Sequence, residues 1–151
     1  FLLSYKLLGV CGLYCGACNH YQASFPRNAH LLRELVKKDK TVEDPTCQGC
    51  RSDKLYSHCS ECIIRECAED KGIDHCGDCI EAPCEMLTNF QFDGRAHHLD
   101  VLDNLAELKK QGCEMWLKKQ ESKWKCQCGA DHSWYEAECH FCGLSFDFYY
   151  R

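Results

Sequence analysis

Cysteines that stand two residues apart recur along this chain, and they constrain its fold more than any other feature. Sixteen of the 151 residues are cysteine. They include one C-x-C pair, Cys126/Cys128, and five C-x-x-C pairs, Cys15/Cys18, Cys47/Cys50, Cys59/Cys62, Cys76/Cys79 and Cys139/Cys142. Two sulfurs presented from one tight turn are the arrangement that tetrahedral zinc sites use. The spacing therefore predicts bound metal.

A secreted disulfide framework is the alternative interpretation of so many cysteines. Disulfides gain most when they join cysteines that are distant in sequence, whereas most cysteines here are paired with a near neighbour. The opening segment Phe1–Val10 is apolar but short, and Lys6 interrupts it, so it does not match a signal peptide. No stretch approaches the 18 or more apolar residues of a membrane span. These features predict a reduced, soluble, cytoplasmic protein with no membrane partner.

The charge of the chain narrows the class of partner. The formal net charge is −5 with every thiol counted as neutral. Metal-binding cysteines are thiolates, and a zinc ion with four of them keeps two negative charges, so a loaded chain is more acidic still. This argues against non-specific binding to nucleic acid. We expect an unidentified protein as the partner.

Helical patterns dominate residues 1–121. Leu31, Leu32, Leu35 and Val36 form an apolar stripe that predicts a helix after Asn28. Residues 99–119 have a longer leucine pattern, with a break expected at Gly112, and should pack against the cysteine-bearing segment. The pattern C-x-x-C-I-x-x-x-C occurs over residues 59–67 and again over residues 76–84. Each copy predicts a knuckle, meaning a tight cysteine-bearing turn, that opens a short helix.

The last segment, residues 122–151, has the sequence of a zinc ribbon, in which two knuckles are joined by short strands. Cys126, Cys128, Cys139 and Cys142 are its expected ligands, and a glycine follows the second cysteine of each knuckle. Four protein ligands leave no open position, so this metal is expected to be structural. The predicted fold is a small, metal-stapled, α-rich (α+β) protein: a helical cysteine-rich domain, residues 1–121, plus a short β zinc ribbon, residues 122–151.

Eleven further cysteines are candidate metal ligands: Cys11, Cys15, Cys18, Cys47, Cys50, Cys59, Cys62, Cys67, Cys76, Cys79 and Cys84. Cys113 stands outside every pair, and a buried free thiol and a ligand are equally consistent with its position. Without Cys113, one four-ligand site needs a histidine, for which the candidates are His20, His75, His97 and His98. Together with the four tail cysteines, this number of candidate ligands predicts three to four Zn²⁺ ions. The sequence leaves open which cysteines share one ion.

Two alternatives to structural zinc remain. An Fe–S cluster or a dithiol redox centre in the N-terminal region would make the protein an electron carrier, although the ferredoxin run C-x₂-C-x₂-C-x₃-C-P is absent from the sequence. A metalloenzyme with one open metal position is the other. Catalytic zinc usually has histidine or carboxylate ligands, and H-E-x-x-H is absent. The sequence therefore favours a non-enzymatic protein, with no catalytic residue assigned.

Several of these motifs together resemble a known family. They are Cys11-Gly-Leu-Tyr-Cys15-Gly-Ala-Cys18, Cys47-x₂-Cys50, Cys62-Ile-Ile-Arg-Glu-Cys67-Ala, Lys71-Gly-Ile, Cys76-Gly-Asp-Cys79 and Pro83-Cys84. Over about residues 9–92 the chain is similar to a cysteine-rich prokaryotic family classed as domain of unknown function 3795. The resemblance implies a cytoplasmic, zinc-bound protein, and some members carry a ribbon tail like residues 124–143. It implies no activity.

Overall fold

The computed structural model describes residues 2–151, and it is rich in helix with almost no strand. Its eight α-helices are α1 (Leu2–Tyr5), α2 (Asn19–Gln22), α3 (Ala29–Lys38), α4 (Ser57–Ser60), α5 (Ile63–Asp70), α6 (Glu85–Gln91), α7 (Val101–Gln111) and α8 (Cys113–Lys123). Single 3₁₀ turns lie at Cys15–Ala17, Pro26–Asn28, Cys76–Asp78 and Ala96–His98. In the described chain no helix is long and apolar enough to cross a membrane.

The long C-terminal pair of helices confirms the prediction for residues 99–119. Helix α7 ends at Gln111 and α8 begins at Cys113, because Gly112 between them has a φ of 85°. Helix α7 contacts both α8 and the Cys76–Asp78 turn. The leucine pattern therefore does pack against the cysteine-bearing segment, as expected.

The helix after Asn28 also forms, but its apolar stripe is only partly used. Asn28 occupies the N-cap position of α3 without a capping hydrogen bond. Its side-chain amide instead donates to the backbone and side-chain oxygens of Gln22. Within the stripe Leu31 is buried, whereas Val36 is 44% exposed.

The two copies of the internal repeat fold differently, so one of the two predicted helices is wrong. Cys62 is the N-cap of α5, as expected for a knuckle that opens a helix. After Cys79 no helix begins until Glu85, which follows Cys84. Pro83 accounts for the difference, because the residue before a proline is disfavoured in the helical conformation.

The core forms where residues 7–11 meet α7 and α8. Leu8, Val101 and Trp116 are fully buried there. Cys11 and Cys76 belong to the same core. Hydrogen bonds from Cys15 N–H to the Leu7 carbonyl (2.8 Å) and from Cys76 N–H to the Val10 carbonyl (2.9 Å) join two cysteine turns to this segment. The turns that carry Cys15 and Cys76 therefore lie against the main core of the protein.

Candidate metal centre

The four cysteines of the tail converge on one point. The sulfurs of Cys126, Cys128, Cys139 and Cys142 all lie within 4.8 Å of one another. The Cys126 and Cys142 sulfurs are 3.5 Å apart, and those of Cys128 and Cys139 are 3.7 Å apart. A tetrahedral ion with Zn–S bonds of about 2.3 Å separates its ligand sulfurs by about 3.8 Å. The spacing therefore fits a single ion held by four thiolates.

Two matching turns place these sulfurs. In the first, Gly129 N–H donates to the Cys126 carbonyl, and in the second Gly143 N–H donates to the Cys139 carbonyl, both at 2.9 Å. Each knuckle is closed by one isolated antiparallel bridge, Lys125 with Asp131 and Glu138 with Ser145. No extended strand forms in residues 2–151, so the expected strands of the ribbon are reduced to these single bridges.

The thiols of the tail site do not titrate alike. Burial alone would raise the pKa of Cys139, but the backbone N–H groups of Cys142 and Phe141 donate to its sulfur and lower the pKa. At Cys126 the N–H of Cys128 lowers the pKa, yet burial and the neighbouring thiols outweigh it and raise the pKa. One thiolate therefore forms readily, while four together need a cation. Metal binding here would release protons and weaken as the pH falls.

The tail is attached to the helical part by specific contacts. Trp134 is buried, and its backbone N–H donates to the Ala17 carbonyl at 3.0 Å. Ala17 lies in the first cysteine turn, Cys15–Ala17. The ring of His140, between the two cysteines of the second knuckle, stacks on His30 of α3 at 3.7 Å. The division into residues 1–121 and 122–151 stays a prediction, and any separate unfolding of the tail must break these contacts.

The first group of N-terminal thiols is drawn from different knuckles. Burial raises the pKa of Cys11 well above its usual value, and the nearby thiols of Cys50, Cys62 and Cys76 raise it further. Burial and the neighbouring thiol of Cys50 raise the pKa of Cys15, and the backbone N–H of Cys50 lowers it in part. Thiolates packed this closely repel one another, so ionising the group requires a positive charge among them.

A second group lies around Cys18. The Cys59 thiol has Cys18 and Cys47 among its neighbours, and Cys47 N–H donates to the His20 carbonyl at 3.1 Å. The His20 ring donates from Nδ1 to the Pro45 carbonyl at 2.6 Å. This hydrogen bond uses one ring nitrogen and does not involve the other, Nε2. A backbone carbonyl on the other ring nitrogen is a common feature of metal-binding histidines.

A third group forms around the second repeat. Burial and the thiols of Cys84, Cys79 and Cys67 raise the pKa of Cys76 to about 12. Lys71 Nζ lies 3.8 Å from the Cys79 sulfur. The cysteines of this repeat therefore lie near one another despite its irregular backbone.

These N-terminal groups are looser than the tail site. Within residues 2–151, the tail cysteines form the one group of three or more histidine, cysteine or carboxylate ligands in which every ligand atom lies within 4.8 Å of the others. The structure thus brings Cys126, Cys128, Cys139 and Cys142 together tightly. The eleven other predicted ligands form no such group among the described residues, and their role as ligands stays a prediction.

The other three candidate histidines also have hydrogen-bond partners on their rings. In His75, Nδ1 accepts from Gly77 N–H at 3.1 Å and Nε2 lies 3.4 Å from an Asp78 oxygen. His97 Nδ1 bonds the Tyr135 hydroxyl at 2.6 Å, and His98 Nδ1 bonds Asp93 at 3.0 Å. Cys113 is half-buried at the start of α8, and burial and the charge of Asp74 raise its pKa.

Sequence reasoning did not single out two arginines beside the first thiol group. Arg51 and Arg65 line a surface cavity of about 320 Å³ together with Cys50. Both guanidinium groups lower the pKa of Cys50, although burial raises it overall. The only signal in the sequence was that Arg51 directly follows Cys50.

Together these observations define a helix-rich, cysteine-rich protein with a four-cysteine group that could hold a metal ion. Residues 7–89, over half of the chain, match the family model described as a protein of unknown function (DUF3795), and the chain belongs to this family. The resemblance noted in the sequence is thereby confirmed. Searches of curated proteins and of solved structures found no significant match.

Proposed function

We propose that this protein binds structural zinc and acts, without catalysis, as a module that binds another protein. The observation that carries the proposal is the set of four tail sulfurs, whose separations of 3.5 and 3.7 Å suit one tetrahedral Zn²⁺. Cys126, Cys128, Cys139 and Cys142 would complete the coordination of the ion. A site so closed leaves no position for water or substrate, which supports a structural role.

The surface of the tail supports a protein partner. Phe141 and Leu144, both on the second knuckle, are 50% and 42% exposed. A small rigid turn that presents apolar side chains suits a protein contact, and the acidic charge of −5 disfavours nucleic acid. In this proposal the metal fixes the shape of the knuckle that the partner binds. The N-terminal cysteines would supply two or three further zinc sites.

An Fe–S or dithiol redox centre in the N-terminal region is the second candidate. Neighbouring thiols from separate knuckles motivate it, since Cys50 and Cys62 lie near Cys11. In this case zinc would be confined to the tail, and the N-terminal region would carry electrons.

Metal content decides between the two candidates. The test is elemental mass spectrometry and an absorption spectrum of protein purified without oxygen. Structural zinc predicts three to four zinc ions per chain and no visible band. Iron with sulfide and a visible band would support the redox candidate.

The role of the tail is tested by Cys128→Ser, with Cys113→Ser as the matched control outside every pair. We expect Cys128→Ser to lose one zinc and to weaken recovery of any co-purifying protein, and Cys113→Ser to retain both. Full zinc content in Cys128→Ser would contradict the proposed tail site.

A further inference from the structure

The surface cavity beside Cys50 has a wall of mixed chemistry and takes no part in the tail site. Its volume is about 320 Å³, and residues of the second knuckle and of the last turn of α5 line it. Val10 and Ala68, which are buried, and the half-buried Ile73 form the apolar wall of the cavity. A concave space of this size, with an apolar wall and a few charged groups, is the usual form of a small-molecule site.

Arg51, the first charged residue of the cavity, is held in place mainly by backbone oxygens. Its Nε donates to the Leu8 carbonyl at 3.0 Å, and its Nη2 donates to the Asp74 carbonyl at 2.6 Å. The guanidinium also stacks over the Tyr5 ring at 4.5 Å, and Nη1 lies 3.4 Å from the Asp74 carboxylate. Nη1 and Nη2 each carry two hydrogens and each have one partner within residues 2–151, so one N–H of each remains for a ligand.

Arg65 supplies a second cation from α5. Its Nη2 donates to the Ser60 carbonyl at 3.1 Å, and its Nε lies 3.8 Å from the Glu69 carboxylate, one helical turn further along. Nη1 of Arg65 has no hydrogen-bond partner among residues 2–151. The Arg65 and Arg51 side chains are both only 18% exposed. Two largely buried guanidinium groups with unused N–H donors favour an oxyanion, because arginine matches a planar pair of oxygens.

The carboxylates of the cavity limit the charge of that oxyanion. Glu69 and Asp74 also line the cavity, and their side chains are 70% and 52% exposed. The Asp74 carboxylate accepts a hydrogen bond from the Tyr5 hydroxyl as well. The wall thus combines two largely buried cations with two exposed anions and has no net formal charge. A dianion such as phosphate would be repelled by both carboxylates, whereas a singly charged carboxylate is repelled less.

We propose that this cavity binds a small monocarboxylate, with its carboxylate on Arg51 and Arg65 and its hydrocarbon part against the apolar wall. The site shares no residue with the tail cysteines, so it does not depend on zinc in the tail. Two kinds of molecule offer this chemistry, a simple organic acid and an amino acid. The amino acid differs by an ammonium group, for which the exposed carboxylates Glu69 and Asp74 are suitable partners.

Ligand-observed NMR titration of the full chain, purified without oxygen, tests the chemistry of the ligand. The probe is isovalerate, with acetate as the control that lacks the branched hydrocarbon and isoamyl alcohol as the control that lacks the charge. We expect both controls to bind about tenfold more weakly than isovalerate, or less tightly still. Valine is isovalerate with an added ammonium group, so tighter binding of valine identifies an amino acid as the ligand and weaker binding an organic acid. Absence of saturable binding for both acids would overturn the proposal.

A pair of charge-matched variants locates the binding. Arg65→Gln removes one guanidinium from the cavity, and Arg33→Gln removes the same charge from the exposed face of α3, away from the cavity. We expect Arg65→Gln to weaken isovalerate binding about tenfold or more, and Arg33→Gln to change it by less than about twofold. Equal binding by both variants and the unsubstituted protein would show that the cavity is not the site.

A measurement without substitutions keeps the proposal testable if Arg65→Gln fails to fold. Isovalerate is added to isotope-labelled protein, and the backbone amide signals are followed by NMR. The signals of Ser52, Ala68 and Ile73, which all line the cavity, should shift with one common dissociation constant. The signals of α3 should stay in place. Shifts confined to surfaces other than the cavity would overturn the proposal.

Discussion

At the scale of single residues, the tail site depends on turns that most side chains cannot adopt. Gly143 has a φ of 75° and directly follows Cys142, the last ligand. A Cβ at this position would meet nothing within 4 Å, so a larger residue is disfavoured by the backbone conformation alone. In the proposed zinc site, metal affinity would therefore be coupled to the conformation of a residue that is not itself a ligand.

We expect Gly143→Ala to destabilise the tail by about 1–2 kcal/mol, the cost of a left-handed conformation for a residue with a Cβ. Zinc affinity, measured by competition with a chromophoric chelator, should fall accordingly. Gly143→Asn should lose less, because asparagine tolerates this region better. Gly72→Ala is the control: Gly72 also has positive φ (64°) and open space around its Cβ position, but it lies far from the tail in sequence. Equal zinc loss in both alanine variants would contradict the argument.

His97 is a second residue whose burial has a measurable consequence. Its ring stacks on Trp134 at 4.2 Å. Burial, followed by the charges of His98 and Arg95, lowers the pKa of His97 to about 3, against the opposing effect of Asp93. His20 lowers the pKa slightly, and Tyr135 accepts or donates the hydrogen bond at Nδ1. The folded protein therefore keeps His97 neutral, whereas the unfolded chain takes up a proton near pH 6.5.

Folding stability should consequently fall as the pH decreases below about 6.5, since only the unfolded state binds the proton there. In His97→Phe the aromatic ring remains and the titrating group is gone, so stability should depend less steeply on pH between 7.5 and 5. The unsubstituted protein and His97→Phe contain the same cysteines. Acid release of bound metal should therefore contribute equally to both pH profiles and drop out of their difference. Chemical denaturation at several pH values tests this, and parallel pH profiles would show that His97 does not contribute.

At the scale of elements, α8 illustrates how the core selects one helix face. Trp116 is fully buried and its ring meets Tyr14 edge to face at 6.4 Å, while the preceding Met115 is 58% exposed. Both residues are large and apolar, and the helix periodicity places them on different faces. The sequence pattern predicted the helix, and the position of residues 7–11 decides which face is buried.

Trp116→Ala should destabilise the protein by about 3–5 kcal/mol, because it removes a large buried side chain and leaves a cavity. Met115→Ala, one position earlier in the same helix, should change stability by no more than about 0.5 kcal/mol. Urea unfolding followed by circular dichroism measures both values. Comparable losses in the two variants would contradict the packing of α8 described above.

At the scale of the whole molecule, cysteines and apolar side chains share one buried cluster. Cys11 and Cys76 belong to the same buried cluster as Trp116, and the tail adds Trp124 and Trp134 to it. A small protein with limited apolar area often uses metal to complete its stability. In the proposed zinc-bound protein, removing metal from one region would therefore affect packing in the other.

Cys139→Ser tests whether the tail is a separate unit. If residues 122–151 fold independently, the substitution should release one metal ion and unfold the tail, while the helical circular dichroism of residues 1–121 persists. The measurement combines metal analysis with circular dichroism. Equal loss of helix and of every bound metal would show that the contacts of Trp134 and His140 make the two parts one cooperative unit.

The sequence by itself determined the grouping of the four tail cysteines, the break at Gly112 and the family. These features are local: the four tail cysteines lie within 17 residues of sequence, so only a short connection separates the two knuckles whose sulfurs meet. The sequence misjudged the helix after Cys79 and the strands of the ribbon, because Pro83 delays the helix and each knuckle pairs through only one bridge.

Only the tertiary structure decided which N-terminal cysteines are neighbours. Cys11 and Cys50 are far apart in sequence, and they meet because the second knuckle hydrogen-bonds to the segment before Cys11. A C-x-x-C pair fixes the distance between its own two sulfurs, but it does not fix which other pair its turn will face. That choice depends on how the core of residues 7–11, α7 and α8 packs, and packing is a property of the whole chain.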